Sequence, residues 1–331
     1  MKIKLVIYTS STSKYDITGL TESVEWSGDV DTFPRKISVN LRNVNDIKRG
    51  NNLINYKEGN LVIFYVDGDE VFRGFIFAKS MSDQGNESFT AYDELIYVTK
   101  NQDSLLVKNK TASSVIESEF RKFGIAIGSI ESTGHKIKKL VFQAKDLSEI
   151  IKDMLKETKK NNGKRFVLIS KKGKTYLQSR QYAPELKITI DNVMSASKDT
   201  SIEDLRTQVM ITKGALDPGK GDKNKKYTTY TAKDKSGISK YGIMQHVEEA
   251  GDKDTYAQMK KKAAKLLESL NNVEETISIE FMGNVKCITG YRLTIHDNFT
   301  DLAGKFFISS DSHKFEGGTH KMTLQLSRRT V

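Results

Sequence analysis

Apolar positions along the chain change their spacing more than once. In the first hundred residues Ile37, Val39 and Leu41 alternate with polar neighbours, the period of a half-buried strand. Leu61–Val66 and Val71–Phe77 flank Asp67-Gly68-Asp69, a tight-turn signal whose glycine tolerates positive φ, so a hairpin is predicted there. Trp26 followed by Ser27-Gly28-Asp29 predicts a strand end and a turn. A small barrel or sandwich is expected over residues 1–107.

The spacing then becomes helical. Thr111 is placed to cap a helix carrying Val115, Ile116, Phe120 and Phe123 on one face and ended by Gly124. A second helix starts at Asp146, with Glu149 as its capping-box partner, and carries Leu147, Ile150, Ile151, Met154 and Leu155 up to Asn161-Asn162-Gly163. Arg165–Ser170 and Thr175–Ser179 read as a hairpin around Lys171-Lys172-Gly173-Lys174. Residues 108–185 are therefore expected to form an α+β module inserted between two mainly β regions. From Leu186 strands return, among them Gln208–Lys213 and Tyr227–Thr231. One amphipathic helix, about 254–270, interrupts them, with Tyr256, Met259, Ala263, Leu266, Leu267 and Leu270 as its apolar stripe. The last region spans 186–331. The fold class is α+β, predominantly β.

One internal similarity crosses the two β regions. Gly59-Asn60-Leu61-Val62-Ile63-Phe64 leads to Arg73-Gly74-Phe75-Ile76-Phe77, and Gly290-Tyr291-Arg292-Leu293-Thr294-Ile295 leads to Ala303-Gly304-Lys305-Phe306-Phe307-Ile308. Two related β-domains are permitted by this pattern.

Composition narrows the class. With 37% hydrophobic and 29% charged residues, the 331-residue chain reads as globular. Its longest aliphatic/aromatic run, Leu61 to Val66, is one strand long, whereas a membrane helix needs roughly 20 residues. The apolar start Met1 to Tyr8 is too short for a secretory signal, so the product is expected to stay in the cytoplasm in which it is made. The net charge of +11 is uneven: residues 151–270 hold 26 Lys/Arg against 15 Asp/Glu, and the flanking regions balance. Such a segment suits a set of solvated Lys-rich loops, or else contact with nucleic acid, an anionic surface or an acidic protein partner. No aromatics interleave its lysines as nucleic-acid stacking platforms would.

Catalytic signals are missing from the sequence. Gly214 to Gly221 has the GxxxxGK spacing of a phosphate loop, but Gly221 stands where a Ser or Thr would hold Mg²⁺ and no helical stripe follows. The histidines form no metal-binding pair; Asp311, His313 and His320 are the one local cluster, which a hairpin could bring together. Glu203/Asp204 and Glu274/Glu275 are adjacent, so on a strand they face opposite ways and cannot grip one glycosidic bond. The lone Cys287, in an apolar strand-like segment, reads as a small buried hydrophobe. No catalytic, cofactor-binding or metal-ligating residue is assigned, and no cofactor is expected.

The order of several short motifs resembles a known family. Val24-Glu25-Trp26-Ser27-Gly28, Arg35-Lys36-Ile37-Ser38-Val39, Val71-Phe72-Arg73-Gly74 and Thr90-Ala91-Tyr92-Asp93 resemble the start of XkdQ/YqbQ-type proteins of defective and contractile phages. Lys108 to Ser113, Phe123-Gly124-Ile125, Asn162-Gly163-Lys164, Ser239-Lys240-Tyr241-Gly242 and Ser312-His313-Lys314-Phe315 continue the likeness through nearly the whole chain. These are tail hub proteins akin to the late-control D and T4 hub proteins.

The resemblance implies a structural hub, not an enzyme, with two tube-like β-barrels per chain. It implies a homotrimer bridging the tail tube to the spike and baseplate proteins, found first in the host cytoplasm and then in the virion or tail-like particle. No small-molecule substrate and no membrane span are expected, and the run lengths and lysine pattern disfavour a nucleic-acid partner. A cell-wall hydrolase of a tail tip and a basic nucleic-acid-binding module are the competing readings.

Overall fold

The computed structural model describes residues 1–42, 45–46, 51–52, 54–82, 86–180, 185–189, 193–214, 227–251, 254–296 and 303–328. Two compact units divide the chain: residues 1–197 with 277–331, and residues 198–276.

The larger unit begins with β1 (Ile3–Tyr8), β2 (Lys14–Asp16), β3 (Thr21–Asp29), β4 (Lys36–Leu41), the short pair β5 (Asn45–Asp46) and β6 (Asn51–Asn52), β7 (Leu61–Val66), β8 (Asp69–Met81) and β9 (Glu87–Tyr92). Asp67 at φ 50° and Gly68 at φ 92° make the turn of the predicted hairpin, and Asp69, expected in the turn, already begins β8. Alternation along β3, β4, β8 and β9 buries Val24, Trp26, Ile37, Val39, Ile76 and Phe89 in one core.

A module with its own core follows: α1 (Ile96–Lys100), β10 (Gln102–Thr111), α2 (Ala112–Lys122), β11 (Ile127–Ile130), β12 (Lys136–Asp146), α3 (Leu147–Asn162), β13 (Phe166–Lys171) and β14 (Lys174–Ser179). The Thr111 hydroxyl accepts from the Ser114 N–H and caps α2, while Gly163 at φ 74° ends α3. The stripes of α2 and α3 bury Ile116, Phe120, Leu147, Ile150, Ile151 and Met154.

The chain then forms β15 (Glu185–Thr189) and β16 (Val193–Ser201). The smaller unit contributes β17 (Gln208–Lys213), β18 (Thr228–Lys233), α4 (Lys235–Tyr241), β19 (Gln245–Glu249) and α5 (Tyr256–Leu270). Here β17 runs between antiparallel β18 and parallel β19, and Met259 and Ala263 of α5 pack on Val209 and Ile211. Strands β20 (Glu274–Met282), β21 (Arg292–His296), β22 (Ala303–Glu316) and β23 (Thr319–Ser327) finish the chain, with Ile279, Phe281, Phe306, Ile308, Leu324 and Leu326 in a further core.

The two β regions are not separate sheets. Hydrogen bonding runs β16-β20-β23-β22-β3-β4-β9-β8-β7-β1-β2, with β21 and β15 branching from β22. The joint is β22, whose Ser310–Glu316 pairs with Ser23–Asp29 of β3.

Within that sheet one pattern occurs twice. Gly59 takes φ 84°, its N–H donates to the Ile76 carbonyl at 2.7 Å, and the Ile76 N–H donates to the Asn60 carbonyl at 3.0 Å. Gly290 takes φ 92°, its N–H donates to the Ile308 carbonyl at 3.0 Å, and the Ile308 N–H donates to the Tyr291 carbonyl at 3.0 Å. Directly after each isoleucine the long strand bulges, between Ile76 and Ala78 against β9 and between Ile308 and Ser310 against β23.

The cross-strand row Ile37–Ala91–Ile76 thereby matches Ile277–Leu326–Ile308. Strands β3, β4, β9, β8, β7 and β1 neighbour one another in the same order as β16, β20, β23, β22, β21 and β15. One departure is that β1 runs antiparallel to β7 whereas β15 runs parallel to β21. The similarity that starts at Gly59 and Gly290 is a structural repeat, but Gly74 and Gly304 are not equivalent, standing two and four residues before the matching Ile76 and Ile308. The smaller unit enters between β16 and β20, where the first copy has only the β3–β4 connection.

Several sequence expectations are revised. Ser27-Gly28-Asp29 is not a turn, because β3 continues through Asp29; a Cβ on Gly28 would overlap the Arg35 guanidinium, so the glycine leaves room for a neighbour. Asp146 precedes α3 without making the capping box; its carboxylate accepts from Gln102 Nε2 at 2.8 Å, and Glu149 pairs with Lys145. Helices α1 and α4 went unread, the latter capped by Asp234. Helix α5 starts one residue after Thr255, which forms a capping box with Gln258, and Tyr256 of its expected stripe is 57% exposed. Cys287 lies in the connection between β20 and β21, not in a strand. Glu203 and Asp204 sit in a turn.

Candidate functional site

The joint between the two sheet halves carries a buried polar cluster. Arg35 precedes β4 and reaches Asp311 of β22, 276 positions away, through Nη1 to Oδ1 at 2.8 Å and Nη2 to Oδ2 at 2.5 Å. Its guanidinium lies 4.3 Å from the Trp26 ring centre, a cation–π contact. The Thr289 N–H donates to Asp311 Oδ1 at 2.6 Å; the Thr289 hydroxyl lies within reach of both Asp311 Oδ1 and the Gly28 carbonyl and donates to one at a time. Burial pushes the Asp311 carboxyl up, but the Arg35 charge and bonds, with His313 beside them, outweigh it and hold the group below the usual carboxylate range.

The turn Gly317-Gly318 folds β23 back on β22 and brings His320 to His313. His313 Nε2 faces the Cys287 carbonyl at 3.0 Å, an acceptor only, so that nitrogen carries a proton. The same nitrogen is 3.4 Å from Asp311 Oδ2. His313 Nδ1 and His320 Nε2 meet at 2.9 Å, and one of the two donates. His320 stacks on Phe315 with ring centres 4.0 Å apart, and His313 lies 4.9 Å from Trp26. Burial, and after it the charge of His313, pushes the His320 imidazole down to about 4.

Gly283 makes this packing possible, since a Cβ there would overlap the His320 ring. The Cys287 thiol is fully buried and pushed up to about 12, chiefly by burial, which removes it from nucleophilic chemistry at neutral pH.

The expected cluster of Asp311, His313 and His320 is thus assembled, and Arg35, Thr289 and the Cys287 carbonyl join it. Gly28, which leaves room for Arg35, is the sequence trace of these additions. Among the described residues no group of three or more His, Cys, Asp or Glu is arranged to hold a metal. The charged ends of Arg35, Asp311 and the two histidines are directed at one another, while Arg35 Nε and the adjoining Trp26 Nε1 are buried without a hydrogen-bond partner. What it does chemically is fasten β22 to β3 and β4, the contact that unites the two repeats.

The YQBQ-like family model matches residues 24–327. The chain belongs to this family. The uncharacterised protein YqbQ of Bacillus subtilis (strain 168) is 33% identical over 312 residues, 93% of this chain and 92% of YqbQ. XkdQ of the phage-like element PBSX, from the same organism, is 31% identical over 317 residues, 94% of each. Among solved structures, the 43 kDa tail protein of prophage MuSo2 from Shewanella oneidensis superposes with a TM-score of 0.73 at 12% identity, covering 98% of both chains. This YQBQ-like chain therefore shares the fold of a prophage tail protein, and one of its relatives is a protein of a phage-like element.

The basic character of this YQBQ-like chain is partly visible in the smaller unit. Lys260, Lys261 and Lys265 of α5 are exposed, whereas Lys262 pairs with Glu248 at 2.6 Å and donates to the Glu249 carbonyl. Lys220, Lys223, Lys225 and Lys226, and all of the GxxxxGK segment after Gly214, lie outside the described residues.

Proposed function

We propose that the chain is the hub of a contractile phage tail or tail-like particle, adapting the tail tube to the central spike and baseplate as a homotrimer. The observation that carries this reading is the repeat. Two equivalent strand sets in each chain give three chains six equivalent positions, which suits a joint between a six-fold tube and a three-fold spike. In this reading the strand sets β3, β4, β9, β8, β7, β1 and β16, β20, β23, β22, β21, β15 supply the two tube-like barrels; the boundaries expected at 107 and 186 shift, because α1 and β10 belong to the inserted α+β module and residues 198–276 form a unit of their own. The protein assembles in the host cytoplasm and ends in the baseplate of the particle.

No turnover is assigned to it. The buried ionisable groups at the joint are consumed by mutual contacts, which favours a mechanical role over the hydrolase alternative. The basic stretch 151–270 meets an acidic partner or an anionic lining of the channel. Reversing the charge of Lys220, Lys223, Lys225 and Lys226 together is expected to lower particle yield, and unchanged yield removes that role. A reconstruction of intact particles with the chain tagged tests the hub directly. Three copies around the tail axis between tube and spike are expected; the tag off the axis, or no three-fold arrangement, overturns the reading.

A further inference from the structure

The two copies of the strand pattern differ in how their edges are covered. Strand β3 is paired on both sides, by β4 and by the part of β22 beyond its bulge. Its counterpart β16 ends the sheet and, among the described strands, pairs with β20 alone. Likewise Ser310–Glu316 of β22 is paired on both sides, by β23 and β3, whereas Ala78–Ser80 of β8 lies against β9 with no described strand on its other side. Each half thus carries one element of a join that is made only once inside the chain. Such edges are templates for another strand.

We propose that Ala78–Ser80 of β8 in one copy adds onto the outer edge of β16 in a second copy, repeating between chains the join that β22 and β3 make within one. This inference rests on the ring-shaped assembly proposed above and names the surface that builds it. The contact is heterologous, with β8 of one copy meeting β16 of the next, so under the three-fold rotation proposed above it builds a ring and not a two-fold dimer.

Charge supports the pairing independently. Arg35 stands two residues before Ile37, and Asp311 three residues after Ile308. The same steps from the matching residues Ile277 and Ile76 reach Glu275 and Lys79. Lys79 lies opposite Phe89 as Asp311 lies opposite Leu324, so both are on the corresponding face of their strands. The ion pair that locks the internal join has a counterpart with its signs exchanged, Lys79 from β8 of one copy and Glu275 from β20 of the next. Within one chain these side chains already have partners, Glu87 at 3.2 Å for Lys79 and Lys198 for Glu275. The contact between copies extends those pairs into a four-membered alternation of charge.

Cysteine pairs placed in assembled particles test this. Ser80→Cys is combined in turn with Ser195→Cys, Ser197→Cys and Asp199→Cys, a ladder along the same face of β16, and with Ala196→Cys, which faces inward. At least one rung of the ladder is expected to give chain-to-chain disulfides under mild oxidation in more than about half the chains, at least ten-fold above the Ala196→Cys pair. Three-fold particles in which no rung links overturn the strand pairing and leave the hub reading standing. A chain absent from the particle axis overturns both.

Discussion

Replacing Arg35 with leucine is the sharpest probe of the joint. The substitution removes two charge-assisted hydrogen bonds to Asp311, whose side chain is fully buried, and leaves that carboxyl with Thr289 and His313. Each such bond contributes roughly 1.5–3 kcal/mol, and orphaning one member of a buried pair costs about 3–5 kcal/mol. Proton uptake by Asp311 limits the penalty, so a loss of about 4 kcal/mol is expected at pH 7. Urea unfolding followed by fluorescence reads it locally, because the single tryptophan, Trp26, lies under the Arg35 guanidinium.

The pH dependence has a fixed sign. Asp311 is held below its ordinary value of 3.8 in the folded chain, so it adds stability above about pH 4 that is lost on further acidification. The variant lacks that contribution, and its deficit against the parent should shrink below pH 4. The double change Arg35→Met with Asp311→Leu should recover all but about 1–2 kcal/mol. A single-variant loss under about 1 kcal/mol at pH 7, or a deficit that grows in acid, would refute the view that this pair fastens the two halves.

Other expectations follow from the same packing. His320, pushed down to about 4 against an ordinary 6.5, favours its neutral form in the folded chain, so stability present above pH 6.5 is lost as pH falls toward 4. His320→Gln should flatten that loss by about 2 kcal/mol in urea midpoints compared at pH 7 and 4.5, and an unchanged slope would count against it. Gly283→Ala should cost about 2–3 kcal/mol because the new methyl must displace the His320 ring, and calorimetry would show it as a lower melting temperature.

Local features were legible in the sequence and distant ones were not. The turn at Asp67-Gly68 and the end of α3 at Gly163 depend on backbone conformations that neighbouring residues dictate. Asp146 looked like half of a capping box because its true partner, Gln102, is 44 positions away. Gly28 looked like a turn residue because the side chain occupying its space, Arg35, is held there by an aspartate 276 positions away. The cluster of Asp311, His313 and His320 was visible because one hairpin supplies all three; Arg35 and Thr289 come from other strands and connections. The repeat was faint for a physical reason. What the two halves share is a glycine with positive φ, a bulge and a register, features that constrain few side chains.

The inert sulfur of Cys287 has a practical consequence. Thiol-directed dyes and spin labels need a reachable thiolate, and a fully buried thiol pushed up to about 12 offers neither access nor charge. Probes can therefore be attached to surface cysteines introduced one at a time into the natural chain, with the native residue left in place as part of its core.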